Sequence, residues 1–212
     1  MARKSIYQLS RLGIAFVAAV GISLLATLPA LSQNTAQPSA EKSVIAPEKS
    51  KQRKMKLDEL FGRLKIAKDS AAGAAIVKQI WETWFASGNV DVDALMNQAR
   101  LAVQEGGIEE AFGALDRVIE IAPDYPEGWN RRATLNFMLG RHERSVRDIQ
   151  QTLAREPRHF GALSGLSQIL AAAGKWKGAL KAYERALAVN PFLPNKDAIL
   201  RQLREKALGS AL

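Results

Sequence analysis

Cysteine is absent from this chain of 212 residues, which excludes disulfides, thiolate metal centres and cysteine nucleophiles. Histidine is nearly absent as well. His142 and His159 stand 17 positions apart, at opposite ends of one helical hairpin in the reading below, so they do not converge on a metal or a proton relay. No Walker loop, dinucleotide fingerprint or His-Glu-x-x-His pair occurs. Ser164 lies in Gly161-Ala162-Leu163-Ser164-Gly165, which lacks the spacing of a nucleophile elbow. Ser39-Ala40-Glu41-Lys42 matches Ser-x-x-Lys, but it falls in a polar stretch with no helix to present the pair. With these removed, no constellation for catalysis remains, and the expectation is a non-enzymatic chain with no cofactor and no metal.

A concentration of charge on a folded domain is missing too. The formal net charge is +9, but it is unevenly spread. Residues 1–32 carry three basic residues and no acid, residues 33–57 carry six basic residues against two acids, and residues 58–212 are left with a net +2. Nucleic-acid binders carry their excess charge on the folded part, so a nucleic-acid partner is not expected.

The first 32 residues read as an address. Arg3, Lys4 and Arg11 form a basic start, Leu12 to Leu28 an apolar run, and Pro29-Ala30-Leu31-Ser32 a break followed by small residues at both positions a signal peptidase reads. The expected outcome is cleavage after Ser32 and a periplasmic or secreted mature protein. The rival is an uncleaved anchor, because the run is near the lower limit for spanning a bilayer. Residues 33–56 mix Ser, Ala, Pro, Gln and Lys with almost no aliphatic content, and read as a disordered basic linker. Its lysines offer a possible membrane association through the N-terminus.

What the chain does have is a period. Pro123, Pro157 and Pro191 are spaced by 34 residues, and Gly106, Gly140 and Gly174 keep the same step. This defines units 92–125, 126–159 and 160–193 within a repeat region at 91–193. Their fourth positions hold Leu95, Trp129 and Leu163; their eighth Ala99, Ala133 and Ser167; their twentieth Ala111, Ser145 and Ala179. Each glycine stands where a first helix must stop, in a conformation that glycine adopts without steric cost. Each proline ends a second helix, and the small residues allow the two helices to approach closely. One such hairpin cannot bury its apolar face alone, so neighbours must stack.

At these residues the chain resembles the tetratricopeptide-repeat (TPR) family over about half its length. Gln98 and Arg132 depart from it, standing where the family prefers leucine. The resemblance implies an all-α fold, a right-handed α-solenoid of antiparallel helix pairs with a solvating C-terminal helix, here 194–208. Residues 57–90 read as a degenerate helical pair covering the first repeat, built on Leu57, Leu60, Phe61 and Leu64 and on Ile76, Val77, Ile80, Trp81, Trp84 and Phe85. The tryptophans there read as packing residues. Leu57-Asp58-Glu59-Leu60-Phe61, Glu127 to Ala133 and Arg158 to Leu163 are similar to stretches in small exported bacterial TPR proteins.

The resemblance also implies a concave groove lined by the first helix of each unit. Its candidate residues are Asn97, Asn130 and Gln168 for a peptide backbone, Arg100 and Arg131 for carboxylates, and Thr134 between them. The family's clamp for chaperone tails needs a lysine where Met96 stands and an asparagine where Arg100 stands, and Gly161 and Gly165 replace its basic pair, so that ligand is not expected. The expected function is an envelope scaffold or adaptor holding a protein or peptide partner. The alternatives are a membrane-anchored assembly factor and, more remotely, an accessory subunit of a hydrolase; partner identity and oligomeric state stay open. The signal reading has a direct check. Intact-mass spectrometry of protein from an export-competent host should show Gln33 at the N-terminus, whereas a full-length chain in the membrane fraction would establish the anchor.

Overall fold

Gly106, Gly140 and Gly174 adopt φ of 80°, 68° and 69°, and each turns one helix into the next. These turns organise a computed structural model that describes residues 45–209; the segment expected as a signal, including the apolar run 12–28, and the linker up to residue 44 lie outside the described residues. Within them the order is α1 (Pro47–Lys65), α2 (Ser70–Phe85), α3 (Val90–Glu105), α4 (Ile108–Ile121), α5 (Pro126–Met138), α6 (His142–Arg155), α7 (Phe160–Ala172), α8 (Trp176–Val189) and α9 (Lys196–Gly209). The all-α expectation holds, since no strand occurs among the described residues. None of the described helices is long and apolar enough to cross a membrane.

Helices α3/α4, α5/α6 and α7/α8 form antiparallel pairs, and α9 packs on α8. The small columns lie at the pair contacts, with Ala99, Ala111, Ala133, Ser145, Ser167 and Ala179 all buried. Where a column holds serine, the hydroxyl finds an acceptor across the pair. Ser145 Oγ donates to the Ala133 carbonyl, and Ser167 Oγ to that of Ala179, each at 2.8 Å. A buried hydroxyl is thereby satisfied without widening the contact. On its other side α5 meets α4, and α6 meets α7, so apolar clusters follow one another along the array.

The first helix corrects the linker reading. It starts at Pro47, not after Lys56. Proline at the first helical turn is pre-organised for the helix, Lys54 pairs with Asp58 one turn on at 2.9 Å, and Arg53 donates to the Ser87 carbonyl at 2.8 Å. The polar half of α1 is thus carried by the apolar stripe that follows it.

The placement of the α1–α2 hairpin is the larger correction. It does not act as a cover for the first repeat. Leu57, Leu60, Phe61 and Leu64 of α1 and Ile76, Ile80 and Trp84 of α2 join one core with Phe160 and Leu163 of α7 and Ala186 of α8. The hairpin lies across the turns that join successive repeats, and touches each through one large residue. Tyr125 Oη donates to the carbonyls of Trp84 and Phe85, both at 2.9 Å; His159 stacks on Trp84; Phe192 sits against Gly73. Arg158 closes the seam, bridging to Asp58 at 2.7 Å with its guanidinium over the Phe61 ring. We call the hairpin the strap.

Two glycine substitutions separate this placement from a free hairpin. An alanine Cβ at Gly73 would stand 2.5 Å from the Phe192 ring, while at Gly62 it would meet nothing within 4 Å. Gly62→Ala should therefore stabilise by up to about 1 kcal/mol through helix propensity. Gly73→Ala should destabilise by about 1–2 kcal/mol, because overpacking outweighs the same gain. Urea denaturation measures both; equal stabilisation by the two would mean that α2 does not lie against Phe192.

Candidate functional site

The first helices of neighbouring repeats, α3 and α5, flank a cleft of about 450 Å³. Its floor is the buried Ala99, Leu115 and Leu135, and its walls carry Met96, Val103 and Met138. Phe85, the last residue of α2, also lines it, so the strap contributes to the cleft. Met138 is 63% exposed and Phe85 39%, which leaves apolar surface facing solvent.

Asn97, Arg100, Arg131 and Thr134 stand on the rim of this cleft. Arg100 is engaged by neutral groups only, donating to Asn97 Oδ1 at 2.8 Å and to Gln104 Oε1 at 3.0 Å. Among the described residues no carboxylate pairs with it. Arg131 is different, because its Nε donates to Glu127 Oε1 at 2.8 Å and its guanidinium lies 4.5 Å over the Phe85 ring. Thr134 Oγ1 donates to the Asn130 carbonyl and leaves the rim only an acceptor and a methyl. Asn130 is buried beside the cleft, donating to Glu127 Oε2 at 2.9 Å, and Gln168 is exposed on α7, outside it.

Beneath Arg131 lies a fully buried polar chain that the sequence reading missed. Glu127 and His159 are both wholly buried, with His159 Nε2 at 3.0 Å from Glu127 Oε2. His159 Nδ1 accepts from the Ala162 N–H at 3.1 Å, capping α7. One ring nitrogen is thus an acceptor, so the proton sits on Nε2 and is donated to the carboxylate. The ring stacks on Trp84 with centroids 4.0 Å apart. A continuous path therefore runs from the strap through Trp84, His159 and Glu127 to Arg131, and Arg131 returns to the strap at Phe85. A signal existed for it: the last position of each repeat holds Tyr125, His159 and Leu193, three large residues in one column, and all three pack toward the strap.

The comparisons with known proteins can be set against this geometry. The family model for the tetratricopeptide repeat matches residues 96–150 and 130–194. A TPR repeat-containing protein of Rhizobium etli is 40% identical over 174 residues, covering 81% of this chain and 85% of that protein. The chain belongs to the TPR family. Among solved structures, the Sgt2 TPR domain of Aspergillus fumigatus aligns with TM-score 0.53 at 22% identity, over 58% of this chain and 83% of that one. The first TPR of Spaghetti, bound to an HSP90 peptide, aligns with TM-score 0.52 at 23% identity, over 56% and 94%. Both show the fold of the TPR array alone.

The strap contact also sets a pH dependence. Burial, and then the nearby Glu127 carboxylate, push the Tyr125 phenol well above the ordinary tyrosine range. Stability from the neutral phenol is complete below about pH 10 and is lost as pH rises through the elevated folded-state value. Tyr125→Phe should cost about 1 kcal/mol at neutral pH and make the alkaline loss shallower, with Tyr183, also raised by burial, keeping part of the slope. Denaturant melts on both sides of the tyrosine range measure this. An unchanged alkaline slope would place the titration elsewhere.

Proposed function

We propose that this TPR protein is a non-enzymatic interaction scaffold that holds a short segment of a partner protein in the α3–α5 cleft by an apolar anchor side chain. The observation that carries this is the cleft itself, about 450 Å³ with Met96, Val103, Leu135 and Met138 turned into it. Unbranched methionines suit such a role because they repack around different apolar shapes. A TPR of the same fold bound to an HSP90 peptide supports peptide recognition as the mode. The ligand chemistry differs, since this chain has Met96, Gly161 and Gly165 where the chaperone-tail clamp would place polar and basic groups.

The rim narrows the ligand further. Arg131 already has its carboxylate in Glu127, so only Arg100 offers spare positive charge. The fitting ligand is an apolar side chain with one acidic group nearby on the Arg100 side, in place of an acidic segment held by two arginines. The basic, apolar and small-residue pattern of residues 1–32 supports a place in the bacterial cell envelope. Retention of residues 12–28 as an anchor would make the same scaffold a membrane-tethered assembly factor.

The test is Met96→Gln with Met138→Asp, which makes the cleft polar while the glutamine keeps the stem that packs at Met96 on the flanking apolar clusters, and Met138 is exposed. Affinity capture from envelope extracts followed by mass spectrometry should lose its specific partner, a weakening of tenfold or more, about 1.4 kcal/mol. The melting temperature should stay near that of the parent. Arg100→Ala should weaken capture without abolishing it. Full retention of the partner by the double variant would put the contact surface elsewhere.

A further inference from the structure

The tenth position of the repeat marks where a first helix receives the pair before it. Leu135 of α5 joins one core with Ala114 and Leu115 of α4, and Ile169 of α7 joins one with Ile149 of α6. Leu203 of α9, a further 34 residues on, is buried in the core that holds Ala179 and Tyr183 of α8. The column begins with Leu101 on α3, and there the side chain is 41% exposed. The pair that precedes α3 is the strap, which docks on the inter-repeat turns and α7 instead. The third position repeats the pattern. Gly128 of α5 lies so close to α4 that an added Cβ would stand 2.7 Å from Val118 Cγ1, and Ala162 of α7 is buried, whereas Ala94 of α3 is exposed.

The last helix of a repeat array ordinarily turns a polar face outward. The C-terminal end does so, with Arg201, Gln202 and Glu205 of α9 exposed. The N-terminal end does not. Ala94, Gln98, Leu101 and Glu105 follow one another at helical spacing and form one exposed stripe on α3. It keeps the small residue and the large aliphatic residue that α5 and α7 use to seat a helix. None of the four lines the peptide cleft, so the stripe is a separate face. The charges on it and along its α4 edge are acidic. Asp91 and Glu105 stand at its two ends, and Glu110 beside it accepts from the Gln98 amide at 3.1 Å. All three carboxylates are exposed, and none is in an ion pair among the described residues.

We infer that this α3 face seats an amphipathic helix of a partner protein, one with an aliphatic stripe and basic flanks. The occupant is a helix because α4, α6 and α8 fill the equivalent face of α5, α7 and α9. Its stripe meets Ala94 and Leu101, and its basic side chains meet Asp91, Glu105 and Glu110. A second copy fits this face less well. Two α3 faces would set acids against acids, and the outward side of α9 offers one large exposed aliphatic side chain, Leu208.

Two peptides copied from this chain serve as probes, since each is a helix that covers a first helix in the array and their charges are opposite. Residues 175–190, from α8, hold four basic residues and one acid, and residues 108–122, from α4, hold four acids and one basic residue. Isolated helices of this length are marginal in water, so each carries a hydrocarbon staple on its polar side. In fluorescence anisotropy at low salt, the 175–190 peptide should bind saturably and the 108–122 peptide at least tenfold more weakly. Ala94→Gln with Leu101→Gln places good helix formers at two exposed sites. It should weaken the 175–190 peptide tenfold or more while the melting temperature stays near that of the parent. Met138→Asp, in the cleft, should leave this binding unchanged, which separates failure of the α3 face from failure of the cleft reading. Absence of saturable binding, or equal binding of the two peptides, overturns the inference. So does loss in Met138→Asp in place of the double variant, which would put the helix in the cleft. Self-association of the protein that the double variant abolishes would assign the face to a second copy, and overturns it as well.

Discussion

A carboxylate with no access to water must be compensated from every side, and Glu127 is such a group. Its two oxygens take Arg131, Asn130 and His159, which come from the same helix and from the next inter-repeat turn. His159 can serve only while its ring is packed under Trp84 and its other nitrogen caps α7. One buried charge therefore ties together the middle repeat, the start of the third repeat and the strap. It also sets the pose of Arg131, whose face rests on Phe85 and forms part of the cleft rim. The cleft is shaped by this network as much as by the helices that flank it.

What could be read beforehand follows from how local each determinant is. The columns of glycine, proline and small residues act within a few residues of themselves, so the period of 34 located α3 to α8 directly. The docking of the strap depends on matches between residues far apart in sequence, such as Gly73 with Phe192 and Asp58 with Arg158. Its amphipathic stripes announced that it must pack, and carried no information about which surface would receive it. The same gap explains Asn130 and Glu127. Family geometry places both positions on the open groove, and they are covered here because the strap lies over that end of α5. Composition misled in one more place: residues 47–56 are poor in aliphatics, and are helical because they continue into a stripe that is not.

The middle repeat concentrates the exceptions to the pattern. Arg132 occupies a leucine position, and it is accommodated by two aspartates and an asparagine in place of apolar packing. Exchanging an apolar contact for a charged network rarely adds stability. It does give this repeat a chemical character that its neighbours lack, on both sides of α5. The cleft borrows Arg131, while Arg132, its neighbour in the chain, turns to the aspartates of α4 and α6.

A strap that reaches the last inter-repeat turn also has a consequence in time. The hairpin is made before any repeat, yet its apolar partners Phe160, Leu163 and Phe192 follow it by roughly a hundred residues of chain. An open TPR array can fold repeat by repeat as it emerges, because each unit needs only its neighbour. Of the described helices, the strap's are made first and dock onto the last repeat, and until then Trp81, Trp84 and Phe61 lack their cover. The chain thus spends its synthesis with an exposed aromatic surface on the N-terminal side of the repeats. A holding factor that shields this surface until the last repeat is made would suit it.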